Sequence, residues 1–252
     1  MATRAPRTPT SFAAYVLHQY DWSESSLILD LFTRELGRLA VVAKGAKKPH
    51  SNFRAVLLPF LRLQVGLGKS AVEGGSEVQT LRGAEWAGGA TMPAGAALFS
   101  GFYLNELLMK LLARQDPHPA LFDAYAWTVG HLADSDAEAA LRAFELTLLR
   151  EIGLLPELSI VTQTQQPVAP DAAHVLLPEA GVAPARGGDA GIGGDALVVL
   201  QAALEHGSLP ALAMACQAAL PVLKTQLRAL LHYHLGSSEL RTRRVMLGVQ
   251  DL

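Results

Sequence analysis

The spacing of apolar residues changes near residue 92, and this change limits the folds open to the chain. Between residues 11 and 86, apolar residues occur in short runs separated by turn formers, which is typical of β-strands. Beyond that point they recur every three or four positions, which is typical of buried helices. Strands followed by helices indicate the α+β class. We expect a flexible tail at residues 1–10, a β domain at residues 11–88 and a helical domain at residues 92–252.

The β domain is predicted to contain five short strands with a break after the third. The strands are predicted at residues 11–20, 25–33, 38–43, 59–67 and 77–85, and residues 51–58 between the third and fourth can form one helical turn. This pattern is typical of a five-stranded barrel of the oligonucleotide-binding (OB) kind. An SH3-like barrel and an open sheet are compatible with the same pattern.

The helical domain is interrupted by a segment rich in helix breakers. Helices are predicted at residues 94–112, 120–132, 136–153, 195–205, 209–219, 221–234 and 238–248. Residues 156–195 contain five prolines and six glycines in forty positions. We expect a loop-rich insertion there, with at most a short hairpin near residues 174–177 and partial disorder near residues 186–194.

Positive charge is concentrated in the β domain of a chain whose net charge is −2. Residues 34–69 contain eight Lys and Arg residues against one acid, Glu35. Lys44, Lys47 and Lys48 directly follow an apolar strand, and burying three ammonium groups together would cost several kcal/mol each. Their natural counter-ions are the phosphates of a nucleic acid. The alternative is a solvated face that only keeps the protein soluble.

Two kinds of residue are predicted to contact DNA. The candidate phosphate-binding residues are Arg34, Arg38, Lys44, Gly45, Lys47, Lys48, Arg54 and Lys69, where Gly45 can take a positive φ and let the backbone approach a phosphate. Single-strand binders often add aromatic residues that stack on bases. Trp22 in a turn and Phe53 beside the basic stretch are the candidates for stacking, while Tyr15 and Phe60 fit the core better.

Signals for catalysis, metal binding and membrane insertion are weak. The chain has no P-loop motif, and His232 and His234 are two positions apart, so they face different directions on a helix. Glu106 and Glu145 lie in apolar helices, where each is expected to bond an arginine or a helix terminus. Cys216 is the single cysteine and fits a buried position in a reducing compartment. We expect a cytoplasmic, nucleoid-associated protein that is not an enzyme and needs no cofactor.

Three segments of the chain are distinctive in their order and spacing: VAKGA, GFYLNELL and RAFELTLL. Together with the flanking sequence, they resemble the RecO family of bacterial recombination-repair proteins over nearly the whole chain. The resemblance implies an OB-fold domain, a helical domain and, in many members, an inserted zinc module with four cysteines. Residues 156–195 contain no cysteine, so we expect a metal-free counterpart of that module.

The resemblance also implies a non-catalytic function in DNA repair. Members of the family bind single- and double-stranded DNA, anneal complementary strands, contact the C-terminal tail of the single-strand-binding protein SSB, and act with RecR to load RecA. A second basic group is the candidate site for the SSB tail: Lys224, Leu227, Arg228, Leu231, Arg241, Arg243 and Arg244. The simpler interpretation of these cations is stabilisation of helix ends. The alternative function is an OB-fold adaptor for proteins or RNA without annealing activity.

Overall fold

The computed structural model describes residues 11–68, 78–236, 240–242, 244 and 245. The chain divides into two compact units. The first consists of Met1–Met92 with Leu112–Phe122, and the second of Pro93–Leu111 with Asp123–Leu252. The predicted tail at residues 1–10 and the predicted phosphate ligand Lys69 lie outside the described residues.

The first unit is built on a closed five-stranded barrel. Its elements are β1 (Ser11–Asp21), β2 (Leu27–Thr33), β3 (Gly37–Ala43), the short helix α1 (Phe53–Val56), β4 (Leu63–Leu67) and β5 (Val78–Trp86). The strand order around the barrel is β1-β2-β3-β5-β4, with β3 and β5 parallel and the other pairs antiparallel. The predicted α+β class and OB-type barrel are confirmed, and the open-sheet alternative is wrong.

Closure of the barrel depends on β1, which pairs on both of its edges. Ala14 lies opposite Thr33 of β2 on one side and opposite Leu63 of β4 on the other. The register between β1 and β2 shifts between Val16 and His18, as at a β-bulge. A bulge bends a strand and increases its twist, which allows one strand to serve two neighbours.

The inside of the barrel is filled by residues that alternate along the strands. They include Phe12, Ala14, Val16, Leu29, Leu31, Leu39, Val41, Ala43, Leu63 and Val65, all of them buried. This two-residue period places every second side chain inside the barrel. In sequence this period is clear only in part of β4, because the outward residues of β1, β2 and β3 are largely apolar as well.

Part of the outer surface of β1 and β2 is covered by chain from residues 112–122. The ring of Phe122 packs against Tyr15 and Phe32, with centroid distances of 5.3 and 5.4 Å. Nearby, the buried carboxylate of Asp30 pairs with Arg38 at 3.3 Å and with Arg114 at 3.1 Å. This second layer explains why β1 and β2 are apolar on both faces.

The second unit is mainly helical. Its helices are α2 (Ala96–Leu111), α3 (Pro119–His131, which begins in the first unit), α4 (Ala137–Glu151), α5 (Gly194–His206), α6 (Leu209–Gln217) and α7 (Leu220–Leu235). These bounds lie within two residues of those predicted. Of the predicted helix at residues 238–248, only residues 240–242, 244 and 245 are described. Cys216 is buried in α6, and burial raises the pKa of its thiol to about 12.

The insertion at residues 156–195 is more ordered than its composition indicates. It contains β6 (Ile160–Val161), β7 (Gln166–Pro167), β8 (Ala173–Leu177), β9 (Gly181–Pro184) and β10 (Ile192–Gly193), arranged in two small sheets. The hairpin predicted near residues 174–177 is present as β8 and β9, but the expectation of at most one hairpin is wrong. The expected disorder near residues 186–194 is also wrong, since Asp189 accepts a hydrogen bond from the Arg186 amide and β10 pairs with β8.

The insertion is stabilised by a few buried apolar side chains and by one buried side-chain amide from α7. Its buried apolar residues include Val161, Val168, Leu176, Val182 and Ile192. The side chain of Gln226 in α7 accepts a hydrogen bond from the Leu176 amide and donates one to the Ala190 carbonyl, both at 2.9 Å. These two bonds fix the insertion to the helical unit. Among the described residues, no helix is both long and apolar enough to cross a membrane.

Gly37 and Gly45 offer a matched test of how the first unit is packed. Both have positive φ, +70° and +72°. An added Cβ at Gly37 would lie 2.1 Å from the Asp116 carbonyl oxygen, whereas at Gly45 the nearest atom is 3.6 Å away. We expect Gly45→Ala to lower the free energy of unfolding by about 1–2 kcal/mol through backbone strain alone. Gly37→Ala should cost about 2–5 kcal/mol because the clash with backbone adds to that strain.

Urea unfolding of the two variants measures this difference. Equal losses in both variants would contradict the close contact between Gly37 and Asp116.

Candidate nucleic-acid interface and peptide groove

The basic loop, residues 44–50, leaves the barrel through a tight turn at the end of β3. Gly45 has φ +72°, and the Lys48 amide donates to the Gly45 carbonyl at 3.1 Å. Ala46 is buried against the barrel core, so its side chain anchors the loop to the barrel. Lys44 and Lys48 are exposed, and neither has a carboxylate partner among the described residues. The turn therefore presents two unneutralised ammonium groups to solvent.

Lys47 has a different role from its two neighbours. Its ammonium group pairs with Asp21 at 3.1 Å and donates to the Ser23 carbonyl at 2.9 Å. Its backbone amide donates to the Ser25 carbonyl at 3.0 Å. Lys47 thus fixes the basic loop to the turn between β1 and β2, and its charge is partly neutralised there.

The other predicted phosphate ligands are placed unequally. Arg38 is engaged inside the first unit with Asp30 and with the Leu112 carbonyl, so it is a structural residue. Arg34 is half-buried, and Arg54 is exposed beside α1.

The two predicted stacking residues, Phe53 and Trp22, differ in how much of the ring is exposed to solvent. Phe53 is half-buried and packs against the barrel core, which leaves little of its ring for a base. Trp22 is 65% exposed.

Two residues at this surface were missed by the sequence analysis. Trp86, the last residue of β5, is 64% exposed. Arg82, also on β5, is exposed and lines the same depression as Lys44, Asn52 and Trp86. The predicted fifth strand ends at residue 85, whereas in the structure β5 continues to Trp86, which lies opposite Leu63 of β4. No feature of the sequence indicates that Trp86 is exposed.

The second unit contains a groove of about 510 Å³ that combines apolar walls with cations. Its lining includes Phe99, Leu141, Leu231 and Leu240, together with Arg142, Lys224 and Arg228. Lys224 is paired with Glu138 at the rim. Such a groove suits an acidic peptide that ends in a hydrophobic residue.

A buried ionic network lies at the base of this groove. Arg142 pairs with Glu145, and the Tyr103 hydroxyl donates to the same carboxylate at 2.6 Å. Burial raises the pKa of Glu145, and burial together with the charge of Glu145 raises that of Tyr103, so the phenol stays protonated as a donor. The Nε of Arg142 is buried and has no hydrogen-bond partner among the described residues. Arg142 is therefore a buried cation of the groove lining whose charge is balanced by Glu145.

The predicted SSB-tail residues are only partly gathered at the groove. Lys224, Arg228 and Leu231 line it, whereas Leu227 is fully buried and absent from its walls. Arg241 and Arg244 are exposed outside the lining, and Arg243 lies outside the described residues. Glu145 was expected to bond an arginine or a helix terminus, and its partner is Arg142. The sequence did not indicate that Arg142 also lines the groove, because the opposite wall of the groove belongs to another helix, α7.

Glu106 of α2 anchors the described C-terminal segment beside the groove. Its carboxylate accepts hydrogen bonds from the backbone amides of Arg241 and Thr242, both at 2.9 Å, and from the Thr242 hydroxyl at 2.7 Å. Lys110 pairs with it at 3.2 Å. Burial alone would raise the pKa of Glu106, but these hydrogen bonds outweigh burial and lower it. The anchoring holds Leu240 and Thr242 in place as part of the groove wall.

The fold and these two surfaces define a class of protein: an OB-type barrel that carries a basic loop, with a helical unit that carries a cationic groove. Residues 8–90 match the family model described as Recombination protein O N terminal, and residues 92–244 match Recombination protein O C terminal. The chain belongs to the recombination protein O (RecO) family.

Curated relatives from several bacteria are similar over nearly the full length. A DNA repair protein RecO of Polaromonas sp. (strain JS666 / ATCC BAA-500) is 54% identical over 244 residues, which are 95% of this chain and 96% of the relative. The DNA repair protein RecO of Variovorax paradoxus (strain S110) is 53% identical over 251 residues, with the same coverage. That of Paracidovorax citrulli (strain AAC00-1) is 54% identical over 260 residues, covering 98% of this chain and all of the relative.

The zinc module found in many family members does not fit the residues of this chain. Four thiolates are needed for such a site, and the chain has one cysteine, Cys216, which is buried in α6. Across the described ranges, no group of three or more His, Cys, Asp or Glu side chains is placed to hold a metal ion. His174, the buried histidine of the insertion, has its Nδ1 3.1 Å from the Ala172 carbonyl. Apolar packing occupies the insertion instead.

We expect Glu106→Gln to release the segment at residues 240–242. A neutral amide offers one acceptor oxygen in place of two charged ones, and hydrogen bonds to a charged group contribute about 1.5–3 kcal/mol. Hydrogen exchange at the Arg241 and Thr242 amides should speed up about tenfold or more. In the parent protein the pKa of Glu106 is lowered, so the protection should be present above its ordinary value of 4.5 and be lost as the pH falls through the lower folded value.

Glu24→Gln, at an exposed position in the β1–β2 turn, is the matched control and should leave exchange at both amides unchanged. Unchanged exchange in Glu106→Gln would contradict the anchoring role.

Proposed function

We propose that the protein is a non-catalytic, DNA-binding recombination mediator in DNA repair. In this proposal it binds single- and double-stranded DNA through the barrel and anneals complementary strands, including strands coated with SSB. It holds the C-terminal tail of SSB in the helical groove and acts with RecR to load RecA. The observation that carries the proposal is the pair of exposed, unneutralised lysines, Lys44 and Lys48, on a loop fixed to a small OB-type barrel. Family membership and the names of the relatives support it.

Electrostatics explain why such a loop suits an annealing protein. Cations on a protein surface displace counter-ions from DNA phosphates, and this binding depends on charge and not on base sequence. Annealing requires that property, because the protein must accept any pair of complementary strands and then release the duplex. A loop backbone held by Lys47 and Gly45 is ordered before DNA binds, so binding costs entropy only in the lysine side chains.

A salt series tests the DNA-binding part of the proposal. Each phosphate contact on single-stranded DNA contributes about 0.7 to the slope of log affinity against log salt concentration. Replacing both Lys44 and Lys48 with alanine should weaken binding of a labelled oligonucleotide and reduce that slope by about 1.4.

Lys110→Ala is the control, because it also removes a lysine, but one whose charge is paired with Glu106. It should leave the slope unchanged. An unchanged slope in the double variant would mean that DNA binds elsewhere. Failure of the parent protein to bind DNA at low salt would favour the adaptor function.

The groove supports the SSB-tail part of the proposal. A peptide tail with acidic residues and a hydrophobic end carries two features that match the groove: side-chain carboxylates for Lys224 and Arg228, and an apolar end for the Leu141 and Leu231 surface. The terminal carboxylate of such a peptide can accept from the guanidinium of Arg228, which is exposed and lines the groove.

The peptide site is tested by Arg228→Ala, since Arg228 is exposed and lines the groove, although its charge also acts on the buried pair Glu145 and Tyr103. We expect binding of a labelled acidic peptide with a hydrophobic C-terminal residue to weaken about tenfold, because one charge-assisted contact is lost. The same peptide with an amidated C-terminus should bind more weakly to the parent protein.

Arg241→Ala is the control, as Arg241 is exposed outside the groove lining. Equal effects of the two substitutions would point to non-specific attraction by the basic residues.

A further inference from the structure

Two exposed tryptophans border the basic loop of the barrel. Trp22 is 65% exposed and Trp86 is 64% exposed. Tryptophan carries a large apolar surface and is enriched at binding interfaces. By contrast, the third tryptophan, Trp127 in α3, is half-buried and stacks on His131 at 4.0 Å.

Both exposed indoles stand on fixed backbone. In the β1–β2 turn, the Trp22 and Ser23 amides donate to the Ser26 carbonyl, at 3.3 and 3.4 Å. Trp86 ends β5 opposite Leu63 of β4, and the next amide, that of Ala87, donates to the Arg62 carbonyl at 2.9 Å. Neither ring is therefore carried by an unsupported loop.

Each indole lines its own hollow, and Lys44 lines both. The Trp22 hollow, about 420 Å³, is lined by Trp22, Ser23, Ser25, Ser26, Val42, Lys44, Gly45 and Lys48. The Trp86 hollow, about 600 Å³, is lined by Lys44, Ser51, Asn52, Phe53, Val56, Arg82, Gly83, Ala84, Glu85 and Trp86. Each hollow thus combines an aromatic face, hydroxyl or amide groups and two cations, and the Trp86 hollow also contains Glu85.

This combination matches the chemistry of an unpaired nucleotide. A base offers a flat π surface to an indole, polar edges to hydroxyl and amide groups, and a phosphate to an ammonium group. In a duplex the faces of the bases are already stacked on one another, so an indole on the protein surface gains little from double-stranded DNA. An acidic peptide would use the cations but has no general need of two indoles.

We infer that single-stranded DNA crosses this face of the barrel with one base stacked on Trp22, another stacked on Trp86, and the intervening phosphate at Lys44. The inference rests on the proposed DNA-binding function and adds to it a preference for single strands. Trp86 and Arg82 become binding residues in this arrangement. Stacking on the two indoles gives the preference for single-stranded over double-stranded DNA, while the lysines supply affinity that is independent of base pairing.

Single-tryptophan proteins test the two positions separately. Double Trp→Phe replacements leave only Trp22, only Trp86 or only Trp127, and each protein is titrated with fluorescein-labelled oligothymidylate at low salt. Binding is followed by anisotropy of the label, and stacking by quenching of the tryptophan emission. We expect quenching of Trp22 and of Trp86, and an unchanged emission from Trp127.

Affinity provides the second measurement. Trp22→Ala and Trp86→Ala should each weaken oligothymidylate binding about 5- to 100-fold, with the salt slope unchanged, since stacking involves no counter-ion release. Binding to a duplex of the same length should change by less than about threefold. Trp127→Phe is the control and should bind both forms like the parent.

The outcomes separate the inference from the proposed function. If the labelled strand binds but either exposed indole is unquenched, or its alanine variant binds like the parent, the two-base path is wrong and DNA binding still stands. If the strand does not bind at all, the proposed function fails and the inference with it. Equal weakening of single-stranded and duplex binding would also overturn the inference, because it would show a contact common to both.

Discussion

Closure of the barrel through β1 is the constraint on which the first unit depends. One strand must pair with β2 along one edge and with β4 along the other, and it meets both at Ala14. Within the barrel, β2 pairs with both β1 and β3, and Leu27 lies opposite Asp21 on one side and Ala43 on the other. The end of β3 therefore lies beside the β1–β2 turn, where Lys47 joins them. The exposed lysines can then act together, because their separation is set by the barrel and not by the loop alone.

Much of the fold could be predicted from the sequence, because it is encoded locally. The apolar run of β3, the alternation in β4 and the helical period from α2 to α7 are visible in short windows. The insertion could not be predicted in this way. Its strands are two to five residues long, and its few apolar residues are separated by prolines and glycines. Their burial depends on Gln226, which lies more than thirty positions away.

The candidate sites were less predictable than the fold. The number of charges in a segment can be read from the sequence, but the carboxylates that pair with them are known only from the structure. Arg38 contributed to the basic stretch, yet Asp30 and the Leu112 carbonyl hold it inside the first unit. Glu145 was expected to bond an arginine or a helix terminus, and it pairs with Arg142, but the place of Arg142 on the groove wall depends on the approach of α7 and of Leu240. Trp86 lay one residue beyond a predicted strand end, where its exposure had no signature in the sequence.

The two units are interleaved along the chain, since residues 112–122 belong to the first unit although α2 precedes them. During synthesis, the barrel strands are complete when residue 86 leaves the ribosome, but Tyr15 and Phe32 stay uncovered until Phe122 follows. Until then Asp30 also lacks Arg114, the second of its two cations. A fragment cut after residue 92 would keep the barrel's inner core and lose this outer cover. The nascent barrel therefore exposes an apolar aromatic surface until the chain has been translated as far as Phe122.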